Sequence, residues 1–110
     1  MPKLITEEEV DAALHYLRDS AFQIGKARER LVLADHMVKH IEALMFLASE
    51  EGTVEAKKQD VKRSKKWMDA AREEAEAAGD FEKLKALREA ALARLDCWRT
   101  ESATLRGMKT

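Results

Sequence analysis

The stretch VDAALHYLRDSAFQIGKARERLVLADHMVKHIEALMFLA, Val10 to Ala48, decides the fold class. Within it Val10, Ala13, Leu17, Ser20, Ile24, Ala27, Leu31, Ala34, Val38, Ile41, Met45 and Ala48 succeed one another in alternating steps of three and four. That is a heptad register held over five and a half heptads, with Ser20 its one polar member. Met37 and Leu44 widen the apolar stripe on one side. Just upstream, Thr6-Glu7-Glu8-Glu9 supplies a hydroxyl cap, a glutamate at the third helical position and negative charge at the positive dipole end. The spacing predicts a helix over 6–50, either one rod or two collinear pieces kinked near Gly25. A helix-interior glycine costs on the order of 1 kcal/mol relative to alanine.

Glu51-Gly52-Thr53 is the first punctuation, with Gly52 read as a left-handed C-cap and Thr53 as the next N-cap. A second helix is expected over 54–78, its register running through Val54, Lys57, Val61, Ser64, Met68, Ala71, Ala75 and Ala78. Phe81 falls one residue out of that register, so a break is expected at Gly79-Asp80 with Asp80 as N-cap. A last helix is then expected over 81–106, with Phe81, Leu84, Leu87, Ala91, Leu95, Trp98 and Leu105 apolar and Gly107 ending it.

Short connections make consecutive helices antiparallel neighbours. The expected architecture is a single all-α domain over 1–110: a long helical hairpin or three-helix antiparallel coiled-coil-like bundle. At 1.5 Å per residue a 45-residue helix spans roughly 65 Å, against about 37 Å for one of 25 residues. Part of the first arm then lacks an intrachain partner. A second copy of the chain is the economical cover, so a homo-oligomer is expected, with Ile24, Leu31, Val38, Ile41 and Met45 at its interface.

Composition agrees with long solvated helices. Of 110 residues 37% are charged and 45% hydrophobic, with one proline and four glycines. So few chain breakers argue against sandwiches, barrels and doubly wound sheets. The net charge of −1 conceals an asymmetry. Residues 1–52 carry 6 basic and 10 acidic side chains, and residues 53–110 carry 14 and 11. Cys97 is the only cysteine, which excludes an intrachain disulfide and a cysteine metal cage and fits a reducing compartment. No stretch approaches 18 uninterrupted apolar residues and no signal-peptide pattern opens the chain, so no membrane association and a cytoplasmic location are expected.

The strongest local anomaly is Lys57-Lys58-Gln59-Asp60-Val61-Lys62-Arg63-Ser64-Lys65-Lys66, followed by Trp67: six of the ten residues are basic and one is acidic. On one continuous helix Lys58, Lys65 and Arg72 share a line, with Lys62 and Lys66 beside it. Cations this dense repel one another, and a phosphate backbone relieves that repulsion while Trp67 offers a stacking face to an unpaired base. The plainer reading is a solvated face whose lysines pair with glutamates of the acidic half. A second basic set, Arg88, Arg94, Arg99, Arg106 and Lys109, lies on the last helix. Arginine's planar fork suits phosphate oxygens. Trp98 falls in register and reads as core.

Other chemistry finds little support. His36 and His40 are four apart, but Met37 follows His36 where a metalloprotease motif has glutamate, and spacing offers no third ligand. No metal or other cofactor is expected. There is no glycine-rich phosphate loop, nucleophile elbow or second thiol beside Cys97, and no carboxylate pair stands out. An enzyme is not expected.

Val54-Glu55-Ala56-Lys57-Lys58 leading into a basic helix, and a final helix carrying Asp96-Cys97-Trp98-Arg99-Thr100-Glu101-Ser102-Ala103, resemble the UvsY-type recombination mediators of phage recombination modules. The resemblance covers Ile41 to Arg106 and is compositional more than exact. It implies an oligomeric accessory protein whose basic helix contacts single-stranded DNA and which helps load a recombinase onto strands coated by single-strand binding protein. By that resemblance Lys57, Lys58, Lys62, Arg63, Lys65 and Lys66 are the DNA-contacting positions, and Trp67, Arg72, Arg99 and Arg106 join them on the chemistry given above. This chain is shorter than the family, and its heptad arm is more regular. The alternative is a helical protein-interaction scaffold, including a phage inhibitor of a host enzyme.

Overall fold

The computed structural model describes residues 4–108 as three α-helices, α1 (Glu7–Ala48), α2 (Val54–Arg63) and α3 (Lys65–Met108). No strand occurs among the described residues, so the fold is all-α. Thr6 caps α1 as its sequence promised, its Oγ1 accepting from the Glu9 amide at 3.1 Å. Gly25 does not interrupt the helix, and α1 is continuous over Glu7–Ala48. Thr53 caps α2 in the same way, accepting from the Ala56 amide at 3.1 Å. Gly52 has no positive φ, so α1 ends without the left-handed glycine cap expected there.

The expected boundary at Gly79-Asp80 is absent, and the break lies at Ser64 instead. Ser64 takes extended backbone, its amide donates back to Val61 O at 3.0 Å, and its Oγ accepts from the Trp67 amide at 3.1 Å. One serine thus closes α2 and opens α3. From there Trp67, Ala70, Glu74, Ala77, Phe81, Leu84, Arg88, Ala91, Leu95, Trp98, Ser102 and Leu105 form one unbroken three–four register, and all but Arg88 are buried or half-buried. Phe81 is therefore in phase. The register expected through Met68, Ala71, Ala75 and Ala78 is one residue off, because neighbouring alanines at 70–71 and 77–78 fit either phase. The helix continues through Gly79 and Gly107 to Met108, in place of separate helices over 54–78 and 81–106.

Contacts gather into two compact units, one joining residues up to Ile24 with those from Glu82, the other Gly25–Phe81. In the first, α1 and α3 run antiparallel around Val10, Ala13, Ala91 and Leu95, with Ile5, Tyr16, Leu17 and Trp98 packed against them. The Glu101 carboxylate accepts from the Leu4 and Ile5 amides at 2.7 and 3.3 Å, pinning the lead-in to α1. Ser20 is buried at its heptad position with no hydrogen-bond partner for its hydroxyl.

In the second unit α1 and α3 again run antiparallel, packed closely through Ala34, Val38, Ala70 and Ala77, which are all buried. Arg30 ties them, reaching Glu73 at 2.8 Å, Asp80 at 2.6 Å and Glu76 at 3.9 Å. Asp80, expected to cap a helix, is thus a mid-helix partner of Arg30. Its hydrogen bonds to Glu73 and Asp80 hold the Arg30 guanidinium above its ordinary range, and Arg30 in turn depresses the Glu73 carboxyl. α2 folds back on the end of α1 through buried Val61, a hydrogen bond from Ser49 Oγ to Asp60 at 2.8 Å, and one from Lys57 Nζ to Ser49 O at 3.3 Å.

Candidate nucleic-acid interface

The basic run is split between two helix ends with opposite dipoles. Lys62 and Arg63 close α2, where cations meet the negative end of the helix dipole. Lys65 and Lys66 open α3, whose first turn holds no acidic residue, so their charge adds to the positive end. The single line expected through Lys58, Lys65 and Arg72 is broken at Ser64, although Lys65 and Arg72 remain two turns apart on α3. Among the described residues Lys58, Lys62, Lys65, Lys66 and Arg72 are exposed and make no ion pair with the acidic side chains. Five such charges without counter-charges raise the local positive potential.

Two members of the run are otherwise engaged. Lys57 is half-buried, with its ammonium 5.4 Å from the Phe46 ring centroid as well as on Ser49 O. Arg63 bonds the carbonyl of Gln59 through Nε at 3.3 Å. Trp67 is half-buried and its indole Nε1 donates to Glu42 at 3.0 Å. The tryptophan expected as a stacking platform is therefore a tie between α3 and α1.

A different aromatic, Phe46, lines a groove nearby. Between the end of α1 and α2 lies a groove of about 470 Å³ lined by Ala43, Phe46 and Val61, by the lysines Lys39, Lys58 and Lys62, and by the carboxylate of Glu42, which accepts from the Trp67 indole. Lys39 also pairs with Asp35 at 3.0 Å, and that hydrogen bond raises its ammonium above the ordinary lysine value. Apolar floor and cationic rim together suit a flat, anionic ligand. Neither Phe46 nor Lys39 was legible as a site residue. The available signal was a large aromatic outside the heptad register, next to Met45, on the side of α1 that the register leaves open.

Arg99 and Arg106 belong to the other unit and are exposed, with Arg99 3.6 Å from Asp96. Lys109 lies outside the described residues. The side chains expected at an oligomer interface face the chain itself: Val38 is buried, and Ile24, Leu31, Ile41 and Met45 are half-buried. His36 and His40 are exposed on α1, and among the described residues no three histidines, cysteines or carboxylates gather as a metal site. Cys97 is half-buried and unpaired. No helix among the described residues is long and apolar enough to cross a membrane. Comparison with protein-family models, curated proteins and solved structures finds no match for this chain.

Proposed function

We propose that this protein is a non-enzymatic helical accessory factor that binds single-stranded nucleic acid, DNA in the first instance, in phage-type recombination or replication. The observation that carries the reading is the groove on which Phe46 meets Lys58 and Lys62. An unpaired base lays its apolar face on Ala43, Phe46 and Val61 while neighbouring phosphates meet the rim lysines and, beyond them, Lys65, Lys66 and Arg72. A duplex hides its bases and has no use for such a floor. Nothing in the groove resembles a base-reading constellation, so binding is sequence-tolerant. Self-association sets several grooves side by side, and weak sites then act together through effective concentration. A recombinase or single-strand binding protein is the protein partner such a factor would serve, in the cytoplasm.

The test is fluorescence anisotropy of a labelled single strand titrated at several salt concentrations beside the matching duplex. With five phosphates neutralised, the log–log salt slope is about −3.5 on single strands. Lys58→Ala with Lys62→Ala flattens it toward about −2. Equal binding of both strands, or none at low salt by a folded chain, sinks the reading. The basic segment is then a docking surface for an acidic protein.

A further inference from the structure

The structure leaves a second apolar stripe on α1, distinct from the one it buries. Leu33, Met37, His40, Leu44 and Leu47 follow steps of four, three, four and three, and the four apolar members are 61%, 52%, 48% and 79% exposed. All lie within the unit Gly25–Phe81. Steps of this kind bring the five side chains onto one face of the helix, rotated by about a third of a turn from the buried register. Between Arg30 and Glu50 that face carries no fixed charge, because Asp35, Lys39 and Glu42 point elsewhere around the helix. The four apolar members present about 450 Å² of apolar surface, within the range of the largest patch on a lone soluble domain.

We infer that a second copy of this chain covers the stripe, packed antiparallel on α1 about a two-fold axis near residue 39. The inference specifies the self-association proposed above and does not depend on nucleic-acid binding. Three observations select this occupant. The seam has the coiled-coil period, so the natural cover is a helix with the same period. The area matches one side of an ordinary homodimer, about 800 Å² of which about 65% is apolar. The third is complementarity of shape along one face. Leu47, the most protruding of the stripe, stands near one end. A groove of about 390 Å³ lies toward the other, between α1 and α3, with Leu33, Ala34 and Met37 as its apolar wall and Lys26, Glu29, Arg30 and Glu73 at its side.

A surface with a knob at one end and a hole at the other is self-complementary under two-fold symmetry, so each copy seats Leu47 in its partner's groove. Leu33 then faces the partner's Leu44, and Met37 the partner's His40. The antiparallel sense also keeps the Glu50-Glu51 ends of the two copies apart, whereas a parallel pair sets them side by side. His40, polar at the middle of the seam, fixes register at some cost in affinity.

The test is analytical ultracentrifugation of the full chain without nucleic acid, across a wide concentration range. The expected result is a concentration-dependent mass of twice 12.5 kDa. Leu44→Asp with Leu47→Asp returns the monomer mass, and unchanged far-UV circular dichroism keeps unfolding apart from dissociation, since both positions are exposed. His40→Leu lowers the dimer Kd by about tenfold or more. In a Cys97→Ser background, chains carrying Leu33→Cys and Leu44→Cys cross-link when mixed faster than either does alone. A monomer at about 1 mM, a dimer indifferent to the paired aspartates, or cross-linking only between like positions overturns the inference.

Discussion

Trp67 Nε1 donates to the Glu42 carboxylate at 3.0 Å across the α3–α1 contact. The aromatic that follows the lysines in sequence is thereby engaged across the helix contact, and Phe46 lines the groove. The two roles separate by substitution. Trp67→Phe removes one hydrogen bond to a charged acceptor and costs about 1.5 kcal/mol of stability. Single-strand affinity stays within about twofold, since Trp67 itself does not line the groove, although its partner Glu42 does. Phe46→Ala weakens single-strand binding by about tenfold, in line with about 1–3 kcal/mol for a base–aromatic stack. Chemical denaturation and anisotropy on the same two variants read both effects. Greater loss of binding in Trp67→Phe than in Phe46→Ala returns the stacking role to the tryptophan.

The carboxyl of Glu74 is placed against α1 beside Asp35 and is raised above its ordinary value, first by desolvation and then by its hydrogen bond with Asp35. Asp35 is lowered, chiefly by its hydrogen bond with Lys39. The two signs are opposite. A raised carboxyl contributes stability below its unfolded value of 4.5, and that contribution is lost as pH rises through the folded value. A lowered one contributes above its unfolded value of 3.8 and is lost as pH falls through the folded value. Glu74→Gln keeps a hydrogen-bonding group and removes the cost of ionisation, so its melting temperature exceeds the parent's at pH 7. The gap closes below pH 4.5. Thermal melts at both pH values check it, and a gap that widens on acidification contradicts the assignment.

Ser20 occupies a heptad core position, 3% exposed, with its hydroxyl unpartnered. A buried hydroxyl without a hydrogen bond costs about 1–3 kcal/mol against an apolar group of similar size. Alanine also has the higher helix propensity. Ser20→Ala is therefore expected to stabilise the fold by about 1–2 kcal/mol, read as a higher denaturation midpoint at unchanged slope. A destabilised Ser20→Ala means the hydroxyl has a partner in solution, most simply a bound water.

How much of this was legible in the sequence depended on how sharply side-chain size marks a phase. In α1 large aliphatics at Leu17, Ile24, Leu31, Val38, Ile41 and Met45 repeat at heptad spacing, and eleven of the twelve register positions are buried or half-buried. In α3 the close contact is made by alanine, and Ala70-Ala71 and Ala77-Ala78 leave the phase undetermined until Phe81 and Leu84 are weighed with Trp67. Reading forward from Val61 carried the α2 phase across Ser64, a residue that is innocuous in a helix and also a good cap. The site was half legible. Charge density located the lysines, but the partner that makes a groove of them, Phe46, comes from another helix across a connection whose path the heptad count does not give.

Gly25 and Gly79 sit inside α1 and α3 with helical neighbours on both sides, and an added Cβ at either meets nothing within 4 Å. Neither has a positive φ, so no backbone geometry calls for glycine. Each glycine loses extra chain entropy on folding and leaves its helix backbone more open to water. Gly25→Ala and Gly79→Ala are each expected to add about 0.5–1 kcal/mol, and the pair about 1–2 kcal/mol, since they touch no common neighbour. Urea denaturation of the single and double variants checks both size and additivity. A loss of stability in either single variant would show that the helix departs from this geometry at that residue. If both are stabilised but single-strand binding falls, the cost of the glycines is tied to function, with bending of the helices during binding as the physical link.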